Sequence, residues 1–119
     1  MKQQLDENSI QALVGYRLQR AKETLREADI LSGQECFNAA INRLYYACFY
    51  AISALLVKNK ITAHTHQGVK QMFRLHFVAT GKVSNEYVRF YSQLFNDRVS
   101  GDYDDFLFLY EKMLQAIRP

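Results

Sequence analysis

Hydrophobic positions along this chain recur at intervals of three and four residues, the period of an α-helix, with polar residues between them. Val14, Leu18, Ala21, Leu25 and Ala28 define a first stripe, and RLQRAKETLREAD puts charge on its other faces. Asn8 or Ser9 is placed to cap the start of this helix and Gly33 to end it. A second helix is predicted from about Cys36 to Lys58. A third follows ITAHT, aligns Val69, Met72, Phe73, His76, Phe77 and Thr80, and stops at Gly81. The fourth repeats the spacing through Tyr87, Phe90, Tyr91, Leu94, Phe95 and Arg98. The fifth, capped by Asp102 or Asp104, carries Phe106, Leu109, Tyr110, Met113, Leu114 and Ile117. β-branched residues are scattered, no Asn-Gly or Asp-Gly pair marks a hairpin, and the single proline is the last residue. The pattern predicts an all-α fold, an antiparallel up-and-down bundle of about five helices with residues 1–119 in one domain.

Composition fits that picture. At 119 residues and 49% hydrophobic, the chain suits one core. Fifteen Lys and Arg against 12 Asp and Glu give +3, which alone does not mark a nucleic-acid binder. The distribution says more: Lys58 to Arg89 holds six bases and one acid, and Asp97 to Glu111 holds five acids and one base, Arg98. Two solvated faces of opposite sign account for this as well as a phosphate-facing middle segment does. Cys36 and Cys48 lack C-x-x-C spacing and read as buried, reduced thiols. The N-terminal MKQQLDENS lacks an apolar signal region, and the longest apolar run, residues 44–57, is short for a bilayer span. A soluble cytoplasmic protein with no membrane partner is therefore expected.

Two arginines interrupt apolar stripes. The second helix is apolar nearly all round, with Ala40, Ala47, Ala51 and Ala54 forming a groove for close backbone approach. Arg43 lies in it, three residues before Tyr46 and seven before Tyr50, so their polar tips share a face. Arg98 extends the stripe of the fourth helix. A guanidinium in either place needs carboxylates, and Asp97, Asp102, Asp104 and Asp105 are the nearby candidates, brought round by Ser100-Gly101. An arginine tied to a capping aspartate that locks two helices satisfies the same facts.

Among the histidines, His64-x-His66 has no third ligand nearby in sequence, and no metal or other cofactor is expected. His66, beside the capping Thr65, suits a structural role; His76, on an apolar stripe, suits a core histidine or a stand-in base near Arg98. Lys58, Lys60, Lys70, Arg74 and Lys82 are the candidate phosphate contacts should RNA bind, with chance scatter of exposed bases as the alternative. The eight Tyr and eight Phe fall mostly at core offsets, which favours packing over base stacking. No P-loop, nucleophile elbow, paired-carboxylate or Gly-rich signature is present.

Three segments in order carry a resemblance: NRLYYACFYAISALL in the second helix, THQG at the start of the third, and RVSGDY before the fifth. Together they resemble the HEPN domain proteins, most strongly the stand-alone prokaryotic branch with its Arg-x-x-Tyr-Tyr-Ala block, Ser/Thr-His-x-Gly turn and Arg-x3-Asp-Tyr ending. Here the first block reads Arg43-Leu44-Tyr45-Tyr46-Ala47, slipped by one residue, and the similarity runs from roughly Tyr16 to Tyr110.

The resemblance implies a helical bundle that pairs as a homodimer. In many such proteins it further implies a metal-independent RNA endonuclease, often a toxin beside a small nucleotidyltransferase. Their mark is an arginine followed after four to six residues by histidine, with two copies facing a shared cleft. An arginine there holds the scissile phosphate and a base assists the 2′-hydroxyl. This chain departs from the mark: Arg98 is followed after four residues by Tyr103, and no histidine comes later. A phenol is a poor base at neutral pH, and acidic neighbours raise its pKa further. Where a partner adenylylates a tyrosine just past that histidine, this chain has Asp105, which leaves Tyr103 as the acceptor if there is one. Arg98, Asp102 and Tyr103 are thus the candidate catalytic set, with Arg43, Tyr46, Tyr50, His66 and His76 supporting it. The alternative is a non-catalytic bundle that binds nucleotide, RNA or a nucleotidyltransferase subunit, with RVSGDY as a dimer lock.

Overall fold

The computed structural model describes residues 6–96 and 101–118. They form α1 (Glu7–Gly33), α2 (Phe37–Lys58), α3 (His66–Phe73), a π-helical turn (Arg74–Val78), α4 (Glu86–Phe95) and α5 (Tyr103–Ile117), with no strand among the described residues. The fold is the all-α bundle that the periodicity predicts.

α1 and α2 form a long antiparallel hairpin, and small side chains explain how closely they pack. Ala21 and Ala28 of α1 and Ala40, Ala47, Ala51 and Ala54 of α2 are all buried. Thr24, also buried, returns its hydroxyl to the Arg20 carbonyl at 2.6 Å, so this hydroxyl is not left unpaired. α4 and α5 close the bundle over α2 with Tyr87, Phe90, Tyr91, Leu94, Phe106, Tyr110 and Met113. α2 is 22 residues long and apolar enough to cross a membrane by length and composition, a longer element than the 44–57 run suggests. Most of it is buried by the other helices, as befits the central helix of a bundle.

The helix ends follow local chemistry. Asp6, two residues before Asn8 and three before Ser9, caps α1 by accepting from the Ser9 amide at 2.7 Å. Thr65 caps α3 through the Gly68 amide at 2.9 Å, as its sequence suggests. Asp102 occupies the cap position of α5 without a side-chain bond to the helix. Gly101 precedes it with φ +126°, a backbone state that a side chain resists, which accounts for a glycine in this turn.

Two expectations are corrected. Cys36 is exposed just ahead of α2, and only Cys48 is a buried thiol, its pKa raised by burial. His76 is exposed and not in the core. The π turn supplies the reason: its wider turn advances each residue by a smaller angle, so Phe77 stays buried while Leu75 and His76 rotate outwards.

Candidate functional site

The end of the bundle where α4 stops and α5 begins gathers most of the chemistry. His66 emerges from the first turn of α3, fixed by the Thr65 cap. Its ring stacks on Phe95 of α4 at 3.7 Å between centroids and 11° between planes, and on Tyr91 at 4.6 Å. Its Nδ1 lies 2.9 Å from the Tyr45 hydroxyl of α2, and its backbone carbonyl accepts from the Tyr91 hydroxyl at 3.2 Å. Three helices thus define the ring's plane and its rotation. Burial, assisted by the Lys70 charge, holds the His66 pKa below the usual histidine value, which keeps the ring neutral at neutral pH. Burial likewise raises the Tyr45 and Tyr91 phenols, so both remain protonated.

This predicts a pH dependence. The unfolded chain takes up a proton near pH 6.5 that folded His66 resists, so stability is present above about pH 6.5 and declines as pH falls towards the depressed folded value. Thermal midpoints of wild type and His66→Gln at about pH 7.5 and 5.5 measure it. A fall no larger in wild type than in the variant assigns the effect to other groups.

Tyr103, the first residue of α5, points into its own bundle. It is buried, and its hydroxyl donates to Asp29 Oδ1 of α1 at 2.5 Å. Burial first, then the Asp29 bond and charge, with Asp104 adding to them, drive its pKa well above the ordinary tyrosine value. It is a proton donor already engaged by a carboxylate. Asp102 beside it is exposed. Arg98 and Asp97 lie outside the described residues.

Arg43, Tyr46 and Tyr50 do share a face, with the Arg43 guanidinium 4.9 Å from the Tyr46 ring centroid. The carboxylate that meets Arg43 is Glu27 of α1 at 3.6 Å, and neither Asp102, Asp104 nor Asp105 pairs with it; Asn42 accepts a further bond at 2.9 Å. Arg20 of α1 covers Tyr50 in the same way at 5.3 Å and pairs with Glu23 at 3.0 Å. These arginines are half-exposed, and their packing on rings explains how they sit on an aromatic face without full burial.

The five candidate phosphate contacts separate. Lys70 and Arg74 line a groove between α3 and α4 together with Arg89, which the sequence reading passed over. Arg89, Gln93 and Asn96 recur at helical spacing on α4, a polar stripe that marks this face. Lys58 instead lines an apolar cavity of about 370 Å³ between α1, α2 and α5, with Lys22 and Arg118. Lys60 takes a left-handed φ of 62° in the turn after α2, and Lys82 sits 5.7 Å from the Phe77 ring centroid. Asp29, Tyr45, Tyr91 and Phe95 also take part; Tyr45 has a local signal inside the Arg43–Ala47 block, Tyr91 and Phe95 only their places on the stripe of the fourth helix, and Asp29 none.

The model of the HEPN domain family matches residues 14–118, nearly the whole chain. The chain belongs to the HEPN family. A UPF0332 protein of Thermotoga maritima is 40% identical over 98 residues, covering 82% of this chain and 74% of that protein. Two Methanocaldococcus jannaschii proteins named as candidate toxins are also similar to this HEPN chain. One is 31% identical over 87 residues, covering 73% of this chain and 59% of its own length. The other is 36% identical over 94 residues, covering 79% and 67%. No solved structure gives a significant match.

Proposed function

We propose that this HEPN chain is a toxin-type protein that cleaves RNA without a metal, working as a homodimer and held in check by a nucleotidyltransferase-type partner. Family membership and the toxin names of two relatives support the class. The observation that carries the chemistry is His66, an oriented imidazole kept neutral and stacked on Phe95, three positions before Arg98 in the chain. The histidine missing after Arg98 is supplied from another helix. With Nδ1–H donated to the Tyr45 oxygen, Nε2 holds the lone pair that takes the proton of the ribose 2′-hydroxyl. The 2′-oxygen attacks phosphorus, Arg98 stabilises the added charge, and the 5′-oxygen leaves, taking a proton from water.

A second function is favoured by one contact. The Tyr103–Asp29 bond ties α5 to α1 within the chain, as expected if RVSGDY serves packing and the bundle only binds nucleotide, RNA or a partner. An RNA cleavage assay in EDTA with wild type, Arg98→Ala, His66→Gln and Tyr103→Phe separates the two, with light scattering on the same samples. Wild type and Tyr103→Phe are expected to cleave, and Arg98→Ala and His66→Gln to lose at least about 100-fold while remaining dimeric. Absence of cleavage by wild type, with Arg98→Ala falling to monomer, would leave the binding function in place of the enzyme.

A further inference from the structure

We propose that the groove between α3 and α4 is a binding site for the phosphodiester backbone of single-stranded nucleic acid, with Lys70, Arg74 and Arg89 on its phosphates; this deepens the RNA function above. The groove is about 220 Å³ and draws its cations from two elements, Lys70 and Arg74 on one wall and Arg89 on the other. Among the described residues no carboxylate lines it, and none forms an ion pair with these three cations. Like charges gathered without a counter-charge repel, and an anion in the groove relieves that repulsion.

A second, independent observation points the same way. Ser92 lines this groove, and its hydroxyl oxygen is buried without a hydrogen-bond partner among the described residues. A buried hydroxyl is costly to leave unpaired, and a phosphate oxygen is an acceptor that would satisfy it. Asn85 heads α4 without spending its side chain on a cap, which leaves another amide donor for the ligand. The π turn begins at Arg74, so the guanidinium projects from the point where the α-helical register changes.

Several cations along one groove ask for a ligand with several anionic groups, and the neighbourhood favours nucleic acid over an acidic peptide. Phe95, next to Asn96 of the groove, keeps 49% of its surface exposed although His66 covers one face. An aromatic ring open to solvent beside a row of phosphate donors is the pairing that single strands use, backbone in the groove and base on the ring. The groove also adjoins His66, which lies one helical turn before Lys70 on α3 and stacks on Phe95, the neighbour of Asn96. A strand in the groove therefore runs towards the proposed reacting centre.

The test uses a fluorescein-labelled 2′-O-methyl oligouridine of about 12 nucleotides, which lacks the hydroxyl needed for cleavage, with anisotropy read in EDTA. Wild type is compared with Arg74→Ala/Arg89→Ala and with an equally charge-depleted control, Arg26→Ala/Lys112→Ala, across about 50 to 200 mM salt. Losing two phosphate contacts should weaken binding at least about tenfold at low salt and reduce the log–log salt slope by about 1.4, with the control near wild type. Equal affinity and slope in all three proteins would overturn the proposal, as would no binding by wild type. Competition arms use ATP and polyglutamate. Binding of either one in place of the oligonucleotide, lost in the Arg74/Arg89 variant, would reassign the groove to a free polyphosphate or an acidic peptide and overturn it as well. Because the probe cannot be cleaved, failure of the ribonuclease function appears separately, as bound but intact RNA in the cleavage assay.

Discussion

Phe73→Ala is expected to lower stability by about 3–5 kcal/mol, which for a chain of this size is a drop in thermal midpoint of roughly 10–20 °C. Phe73 is fully buried at the last position of α3, with Phe77 across the π turn at 6.1 Å between centroids. Truncation leaves a cavity that the surrounding α2 and α4 side chains cannot fill without breaking their own packing. Phe95→Ala makes the comparison informative, since both phenylalanines fall on apolar stripes of the sequence. Phe95 is half-exposed and contributes stacking on His66 and Tyr45, so its loss should cost about 1 kcal/mol. Urea unfolding of both variants measures the difference. Equal losses would mean that the two rings are equally buried, contrary to the fold described.

The second large effect is a coupling. Tyr103→Phe and Asp29→Ala, taken singly and together, should give an interaction free energy of about 1.5 kcal/mol or more. The bond is short and its acceptor is a carboxylate, the conditions under which O–H···O⁻ bonds are strongest. It joins residues 74 positions apart, so it fixes the start of α5 against α1. Stability from the retained proton is fully present below the ordinary tyrosine pKa of about 10 and is lost as pH rises through the elevated folded value. A cycle that closes within about 0.3 kcal/mol would make the contact energetically idle. A Tyr103→Phe protein that is less stable yet still cleaves RNA would assign this tyrosine to the frame of the site and leave the proton chemistry to His66.

The relation between these two effects bears on how the site is built. His66 takes its orientation from α2 and α4, and the start of α5 is held to α1 by the Tyr103–Asp29 bond. Loss of the Tyr103–Asp29 bond loosens α5 against α1 without touching His66. Activity lost in Asp29→Ala and recovered in Asp29→Asn would show such positioning at work.

Much of the architecture was determined by the sequence alone. Helical period, Thr65 as a cap, Gly33 as a stop and the glycine before α5 depend on hydrogen bonds and sterics within a few residues, which is why five helices could be located from local pattern. The Arg43–Tyr46–Tyr50 face was legible for the same reason, being set by spacing on one helix. The tertiary structure decided what crosses between helices. Glu27 as the partner of Arg43, Asp29 as the partner of Tyr103, and the aromatic cradle that orients the His66 ring have no local signature. Nor does the π turn, whose single change of register moves His76 from a predicted core stripe to the surface. Such contacts depend on how far each helix is rotated and shifted against its neighbours, a quantity fixed by the packing of the whole core and by no short stretch of chain.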